Sequence, residues 1–177
     1  LHAVLEDIPP AAAKTGALGS AAMVRAIANA ARAFDFPLVV APVMISKHGA
    51  PLMAEEARRV LATRLLPQAF LLTPNLHEAE SLTGFRIADV ETMQQAGARL
   101  CKMGARNVLV KGGHLEGDAV DVLLTEAGAV HRFGGPRYDT PHTHGTGCTY
   151  SAAITACLVK GLPLAEAVER SKQFIAE

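Results

Sequence analysis

The sequence predicts an α/β fold with a mostly parallel sheet and a late antiparallel hairpin at one edge. Short runs rich in valine alternate with longer segments whose apolar residues recur at helical spacing. This alternation is typical of parallel sheets that are covered by helices. Near the end of the chain, Glu126-Ala127-Gly128 separates two apolar runs in the manner of a hairpin turn.

In the first half of the chain, three strands alternate with three helices. The strands are short runs of small or apolar residues, at 11–15, 38–43 and 70–73. The helices carry apolar residues on one side and cover residues 21–34, 54–66 and 76–82. Ser20 sits where an N-cap would, Pro67 stops the second helix, and Gly84 closes the third.

The second half adds three strands and three helices. The strands are expected at residues 107–111, 119–125 and 129–133, of which the last two form the hairpin. The helices are expected at residues 90–103, 148–160 and 164–177.

Composition limits the class of protein. The chain has 177 residues, 50% hydrophobic and 19% charged, which excludes a disordered chain, a collagen-like repeat and a disulfide-dense mini-protein. The length suits a single domain over residues 1–177. With 17 basic and 17 acidic residues and few aromatics, no feature indicates a nucleic-acid or anionic-membrane partner.

The apolar stretches and the cysteines favour a cytoplasmic protein. The longest apolar stretches, residues 36–45 and 148–159, are too short to span a membrane. The three cysteines form no C-x-x-C pair, which fits a reducing compartment. The chain begins with Leu1, without a signal peptide, and ends inside a predicted helix. We therefore expect it to be part of a longer protein.

The strongest local pattern is T-H-G-T-G-C at residues 143–148, which leads directly into an apolar helix. The first amides of a helix have no partner within it, and the small residues Gly145, Thr146 and Gly147 would let an anion approach them. Cys148 would fall in the first turn, where a thiol is a candidate proton acceptor. On local grounds, a loop that only starts a helix, with Cys148 as a packing residue, is an equal alternative.

Asn75 and Glu78 form a second candidate site, directly after the strand predicted at residues 70–73. Ligands of open α/β sheets bind at the carboxyl ends of strands. An amide and a carboxylate three residues apart would suit Mg²⁺, which prefers oxygen ligands and retains several waters. Spacing alone favours the alternative, a capping box that closes the start of a helix.

Lys111, Gly112 and Gly113 follow the next strand and form a third candidate site. The lysine would reach an anionic ligand, and the glycines would let a nucleotide approach the backbone. A charged residue that leaves the sheet before a turn is the commoner explanation. The pattern H-x-H-x-x-x-C at residues 142–148 also suggests zinc, but it matches no standard structural site.

In this order, the motifs resemble those of the ribokinase-like superfamily of small-molecule kinases. Within it they resemble the hydroxymethylpyrimidine and phosphomethylpyrimidine kinases of thiamine biosynthesis, over essentially the whole chain. The matching segments are K-T-G at 14–16, P-V-M at 42–44, T-P-N-L and E-A-E within 73–80, V-K-G-G-H at 110–114, D-T at 139–140 and T-H-G-T-G-C at 143–148. The resemblance implies a ribokinase-like three-layer α/β sandwich in which ATP and an acceptor alcohol meet over the sheet.

The resemblance also implies how the phosphoryl group is handled. Gly145, Thr146 and Gly147 would form the anion hole for the γ-phosphoryl group, and Thr146 would also contact the nucleotide. Cys148 would help to deprotonate the hydroxymethyl oxygen, at a position where most of the superfamily carries an Asp.

The other implied roles concern the nucleotide and the metal. Asn75 and Glu78 would organise Mg²⁺ and its waters, and Asn75, Lys111 and Gly113 would lie near the nucleotide. ATP and Mg²⁺ are therefore the implied cofactors, and a pyrimidine alcohol or its phosphate is the implied substrate. Because the family often dimerises, a homodimer is also expected.

The chain departs from the family pattern in three places. The family's N-terminal part, with much of the acceptor pocket, is absent from the sequence given. Ala41 stands where the family usually has the Asp of D-P-V-M, and Ala17 stands where it commonly has Met.

Two other functions remain open. One is a pyridoxal or pyridoxine kinase on the same fold. The other is a non-catalytic nucleotide-binding homologue, which Ala41 and the missing N-terminal part suggest. A zinc-bound structural module is the weakest alternative.

Overall fold

The structure, a computed structural model, describes residues 2–45, 51–113, 119–135 and 145–176. These residues form one six-stranded sheet whose strands lie side by side in sequence order. The strands are β1 (Ala13–Thr15), β2 (Leu38–Val40), β3 (Leu71–Leu72), β4 (Asn107–Val110), β5 (Asp121–Leu124) and β6 (Val130–Phe133). The α-helices are α1 (His2–Asp7), α2 (Ala21–Ala31), α3 (Glu55–Val60), α4 (Leu76–Thr83), α5 (Val90–Lys102), α6 (Thr146–Val159) and α7 (Leu164–Phe174).

The predicted sheet is confirmed. It is parallel from β1 to β4 and antiparallel from β4 to β6, so the late hairpin lies at one edge. The hairpin turn contains Gly128, whose φ of 81° lies in the left-handed region that favours glycine. Along β6, exposed and half-buried residues alternate, as expected of an edge strand with one solvated face.

Helices cover both faces of the sheet. Neighbouring residues of a strand point to opposite sides, and Val39 and Val40 accordingly belong to different cores. Val40 packs in the core that α2 to α5 share, whereas Val39 packs with Tyr150 and Ile154 of α6 and Val168 of α7. Because both faces of β2 are buried, this strand is apolar at every position. The α6–α7 layer, the sheet and the α2–α5 layer make the three-layer arrangement that the resemblance implies.

The helix predicted at residues 54–66 differs most from the expectation. It is α-helical only in α3, continues as a π-helical turn (Leu61–Leu65) and ends in a 3-10 turn (Leu66–Gln68). In the π turn, the amide of Leu66 donates to the carbonyl of Leu61. Pro67 has no amide hydrogen, so a regular α-helix gains no bond at that position. Pro67, where the helix was expected to stop, therefore lies inside the 3-10 turn that ends the helix.

Other elements are shorter than predicted, and one is new. β2 ends before Pro42, which cannot donate to a ladder. α2 ends at Ala31, and the amide of Phe34 instead donates to the Ala31 carbonyl at 3.2 Å. α1 was not predicted, because its mostly exposed residues carry no apolar face; Val4 is 61% exposed. Among the described residues, no helix combines the length and the apolar character needed to span a bilayer.

Candidate functional site

The carboxyl ends of β3 and β4 bring two of the predicted motifs together. Asn75 and Lys111 form a parallel bridge just beyond these strands, and the amide of Lys111 donates to the carbonyl of Pro74 at 2.9 Å. The two residues are 36 positions apart in the sequence but are direct neighbours here, since parallel strands end at the same edge of the sheet.

Asn75 and Glu78 form the capping box that their spacing favours. Asn75 Oδ1 accepts a hydrogen bond from the Glu78 amide at 2.9 Å, and Glu78 Oε2 accepts one from the Asn75 amide at 2.8 Å. This cap starts α4, and Gly84 ends the helix in the left-handed conformation with φ 82°. The cap fixes where both side chains lie at the end of β3.

Glu78 is a buried carboxylate, with 5% of its surface exposed. Burial raises its pKa, whereas the charge of Lys111 and hydrogen bonds from the amides of Asn75 and Met44 act in the opposite direction. A buried carboxylate beside a lysine is unusual for a simple helix cap. Glu78 therefore caps α4 and also places a carboxylate beside Lys111.

Lys111 connects the sheet to the start of α6. Its Nζ lies 3.1 Å from the position that a Cβ would take at Gly147. Burial lowers the pKa of Lys111, and Lys14 lowers it further, while negative charges at Glu78, Asp121 and Cys148 raise it. Lys111 thus lies close both to the Gly147 turn and to Glu78.

Helix α6 begins at Thr146, two residues before the start that the sequence predicts. Gly145 is the N-cap and has φ 86°, a left-handed conformation. As a glycine, this N-cap residue has no side chain with which to cap the turn. The amides at the start of a helix carry partial positive charge, and here they lie beside the Lys111 ammonium group.

Cys148 lies in the first turn of α6 and is exposed, whereas Cys101 and Cys157 are half-buried. A negative charge on its sulfur would interact favourably with the Lys111 ammonium group. Cys148 is therefore not part of the core of the described structure. The thiol is open to a ligand at the same place as Lys111 and Gly147.

Asp121 of β5 also reaches this region, and sequence analysis did not single it out. Its Oδ1 accepts a hydrogen bond from the amide of Gly112 at 2.9 Å, and its Oδ2 pairs with Lys172 Nζ at 2.8 Å. The available signal was a carboxylate inside the apolar run A-V-D-V-L-L, which the hairpin prediction treated as ordinary strand.

The oxygen donors present fit a magnesium ion that keeps part of its water shell. Asn75 and Glu78 supply an amide and a carboxylate oxygen, and Mg²⁺ commonly takes only one or two carboxylates, with waters and phosphates completing the set. Ala41 adds no carboxylate and is itself buried, at 4% exposure. Among the described residues, no group of three or more His, Cys, Asp or Glu side chains is placed to hold a metal.

Several predicted residues cannot be compared. They lie outside the described residues. These are His114 and residues 139–144, which include Thr143 of the glycine-rich loop and both histidines of the zinc pattern. Gly113 is described and exposed, and so is Ala17. At the carboxyl end of β1, the Thr15 hydroxyl is buried and finds no hydrogen-bond partner among the described residues.

The sequence is similar to known kinases over its whole length. The family model described as phosphomethylpyrimidine kinase matches residues 1–177. The chain is 50% identical, over 99% of its length, to the thiamine biosynthesis bifunctional protein ThiED of Geobacter sulfurreducens. It is 45% identical, over 98% of its length, to a hydroxymethylpyrimidine/phosphomethylpyrimidine kinase of Streptomyces coelicolor. The chain spans 36% and 64% of the length of these two relatives, respectively.

Solved structures share the same fold. A phosphomethylpyrimidine kinase of Clostridium difficile matches with a TM-score of 0.86 and 39% identity, over 99% of this chain and 71% of that one. The Bacillus subtilis pyridoxal kinase, solved as an ADP complex, matches with a TM-score of 0.87 and 34% identity, over 97% of this chain and 64% of that one.

Proposed function

Because the chain belongs to the phosphomethylpyrimidine kinase family, we propose that the protein carrying it phosphorylates hydroxymethylpyrimidine and then hydroxymethylpyrimidine phosphate. ATP is the phosphoryl donor. In each step the acceptor oxygen forms a bond to the γ-phosphorus, the bond between that phosphorus and the β–γ bridging oxygen breaks, and ADP leaves.

One observation carries this proposal. The Lys111 ammonium group lies 3.1 Å from the Cβ position of Gly147, in the first turn of α6. A lysine and a helix N-terminus at one point make a strongly anion-binding position. Phosphoryl transfer requires such a position, because it depends mainly on aligned reactants and on compensation of the phosphate charge.

The first turn of α6 would hold the moving phosphoryl group. Gly145, Thr146 and Gly147 place backbone amides there, and these amides would donate to the equatorial oxygens of the phosphoryl group. Lys111, beside the same turn, would neutralise charge on the nucleotide phosphates. Gly113, which is exposed after β4, leaves room for the nucleotide to approach the backbone.

Cys148 would be the proton acceptor for the first transfer. Its exposed thiol lies one residue beyond Gly147 and interacts with the charge of Lys111. As the hydroxymethyl oxygen attacks phosphorus, its proton would pass to Cys148 Sγ in the thiolate form, which becomes the neutral thiol.

Asn75 and Glu78 are the residues that would hold Mg²⁺, through its waters. When bound, the ion would offset the charge of the nucleotide phosphates. Glu78 keeps its carboxylate facing Lys111, and the capping box holds Asn75 and Glu78 in place at the end of β3.

The test is an assay of the full-length protein with ATP, Mg²⁺ and hydroxymethylpyrimidine. We expect ADP to form together with the pyrimidine monophosphate and, later, the diphosphate. If ADP formation does not exceed the rate without acceptor while the protein binds ATP, the non-catalytic alternative that Ala41 suggests would replace this proposal.

A pyridoxal kinase is the second candidate, because the pyridoxal kinase of Bacillus subtilis matches this chain as closely in shape as the pyrimidine kinase does. The ratio of kcat/KM for hydroxymethylpyrimidine to kcat/KM for pyridoxal separates the two functions, since specificity is that ratio. We expect the ratio to favour the pyrimidine; a ratio below one would favour the pyridoxal kinase.

A further inference from the structure

Asp121 and Lys172 form a buried ion pair beside the candidate site. Their side chains are 6% and 13% exposed, and Lys172 Nζ lies 2.8 Å from Asp121 Oδ2. Asp121 lies on β5 and Lys172 near the end of α7, 51 residues later. The three other ion pairs among the described residues have side chains that are at least 42% exposed.

Each member of the pair also binds backbone, Asp121 directly after Lys111 and Lys172 just before β5. Asp121 Oδ1 accepts a hydrogen bond from the amide of Gly112, at 2.9 Å, and Lys172 Nζ donates one to the carbonyl of Ala119, at 2.8 Å. Both carboxylate oxygens of Asp121 are therefore used, and one of them holds the residue that directly follows Lys111.

The backbone at Gly112 has almost no freedom. A Cβ at this position would lie 1.9 Å from the carbonyl oxygen of Val120, so Gly112 packs directly against the start of β5. The hydrogen bond to Asp121 fixes its amide in the same contact. Since Lys111 is the preceding residue, the direction in which its side chain leaves β4 depends on this contact.

The pair also connects to α6. The Tyr150 hydroxyl is buried, and burial and the nearby Asp121 charge raise its pKa. The hydroxyl oxygen of Tyr150 makes no hydrogen bond to a residue that the structure describes. Asp121 thus lies between the turn after Lys111, helix α7 and the second turn of α6.

We propose that Asp121, held by Lys172, is a positioning residue that keeps the Lys111 side chain against the first turn of α6. The inference rests on the proposed function, in which Lys111 binds nucleotide phosphates. Stability alone does not explain the pair, because two charges of this kind are costly to bury and well-packed apolar side chains often replace them without loss.

The experiment uses the full-length protein and compares its dissociation constants for ATP and AMP. AMP lacks the phosphates that Lys111 would bind. Damage to the site as a whole would therefore weaken the binding of both ligands, whereas displacement of Lys111 would weaken the binding of ATP selectively. The variants are Asp121→Leu, which removes both the acceptor of the Gly112 amide and the charge, and Lys172→Met, which releases the Asp121 carboxylate from its partner. Glu166→Gln, which breaks the exposed pair with Arg170 on the same helix, is the matched control.

We expect both variants to weaken ATP binding about tenfold and AMP binding less than about twofold. KM for ATP should rise in parallel, and Glu166→Gln should change none of these values. Asp121→Leu with Lys172→Met, which leaves no unpaired buried charge, should recover part of the thermal stability but not the ATP affinity.

Three results would overturn the inference: unchanged ATP affinity in both single variants, equal losses for ATP and AMP, or recovery of ATP affinity in the double variant. A wild-type protein that binds ATP but transfers no phosphoryl group would refute the proposed function instead. The ATP-to-AMP comparison would still report on Asp121 in that case.

Discussion

The ammonium group of Lys111 lies between the sheet and α6, with Glu78, Asp121 and Cys148 as its negatively charged or ionisable neighbours. Burial lowers the pKa of Lys111 because it disfavours the charged form, and these neighbours raise the pKa part of the way back. An anionic ligand would supply further compensation. The residue is therefore suited to binding phosphate, and its own protonation should be visible in the kinetics.

We expect kcat/KM for ATP to fall on the alkaline side of the pH profile. Burial lowers the pKa of Lys111 below the ordinary value of 10.5, so the ammonium form is lost as the pH rises through that lowered value. In Lys111→Arg the cation persists, because arginine does not deprotonate in this range. The activity that this variant retains should then lack the alkaline fall. An identical fall in both proteins would assign it to another group.

Cys148 should matter more for the first phosphoryl transfer than for the second. The alcohol must lose a proton, whereas a phosphate monoester is already largely ionised at neutral pH. We expect Cys148→Ser to lower kcat with hydroxymethylpyrimidine about a hundredfold. With the monophosphate as acceptor, the loss should be less than about tenfold.

The matched control for Cys148 is Cys157→Ser, which changes a half-buried thiol on the same helix. It should leave both transfers near the wild-type rate. Equal losses for the two acceptors in Cys148→Ser would show that the thiol does not act as a base.

At the level of elements, the start of α6 differs from that of α4. The capping box uses the side chains of Asn75 and Glu78 to close the first turn of α4, whereas α6 starts at Gly145 without a side-chain cap. The side chains of Ser20 and Asp89 cap the starts of α2 and α5 in the same way. Since the N-cap residue of α6 has no side chain and its first turn lies beside Lys111, the start of α6 suits a phosphate ligand.

Gly147→Ala should separate stability from nucleotide binding. Alanine favours a helix over glycine by about 1 kcal/mol, so the melting temperature should stay the same or rise. The new methyl group would lie 3.1 Å from Lys111 Nζ and push that flexible group aside. We expect KM for ATP to rise about tenfold.

Gly134→Ala serves as the control for Gly147→Ala, since a Cβ at Gly134 meets nothing within 4 Å. KM for ATP should not change in this variant. If KM is also unchanged in Gly147→Ala, Lys111 and the first turn of α6 do not act on the same ligand.

For the whole molecule, hydrophobic patterning was sufficient to predict the order and type of most elements. Val39 and Val40 illustrate why: both faces of β2 are buried, so the strand is uniformly apolar and easily recognised. The π turn at Leu61–Leu65 could not be predicted, because its hydrogen-bond pattern depends on how the helix packs before Pro67. Helix α1 was missed since no buried face marks its sequence.

The site was only partly predictable. The sequence placed Asn75 and Lys111 each at the carboxyl end of a strand, and in the structure a bridge joins the two residues. The contact of Lys111 with the Gly147 turn depends on the path of α6 across the sheet, which no local pattern encodes. Asp121 was missed for a similar reason, because its partner Lys172 follows 51 residues later.

Several expectations remain predictions. They are a single domain over residues 1–177, a homodimer and a cytoplasmic location. Light scattering of the full-length protein would determine whether it is a dimer.

The most direct test of the account is phosphorus NMR of the full-length protein with ATP, Mg²⁺ and hydroxymethylpyrimidine, run beside Lys111→Met. The account predicts that the γ-phosphate signal of ATP is replaced by those of ADP and the pyrimidine monophosphate, about a hundredfold more slowly in the variant. A variant as fast as the wild type, or ATP that stays intact with both proteins, would contradict it.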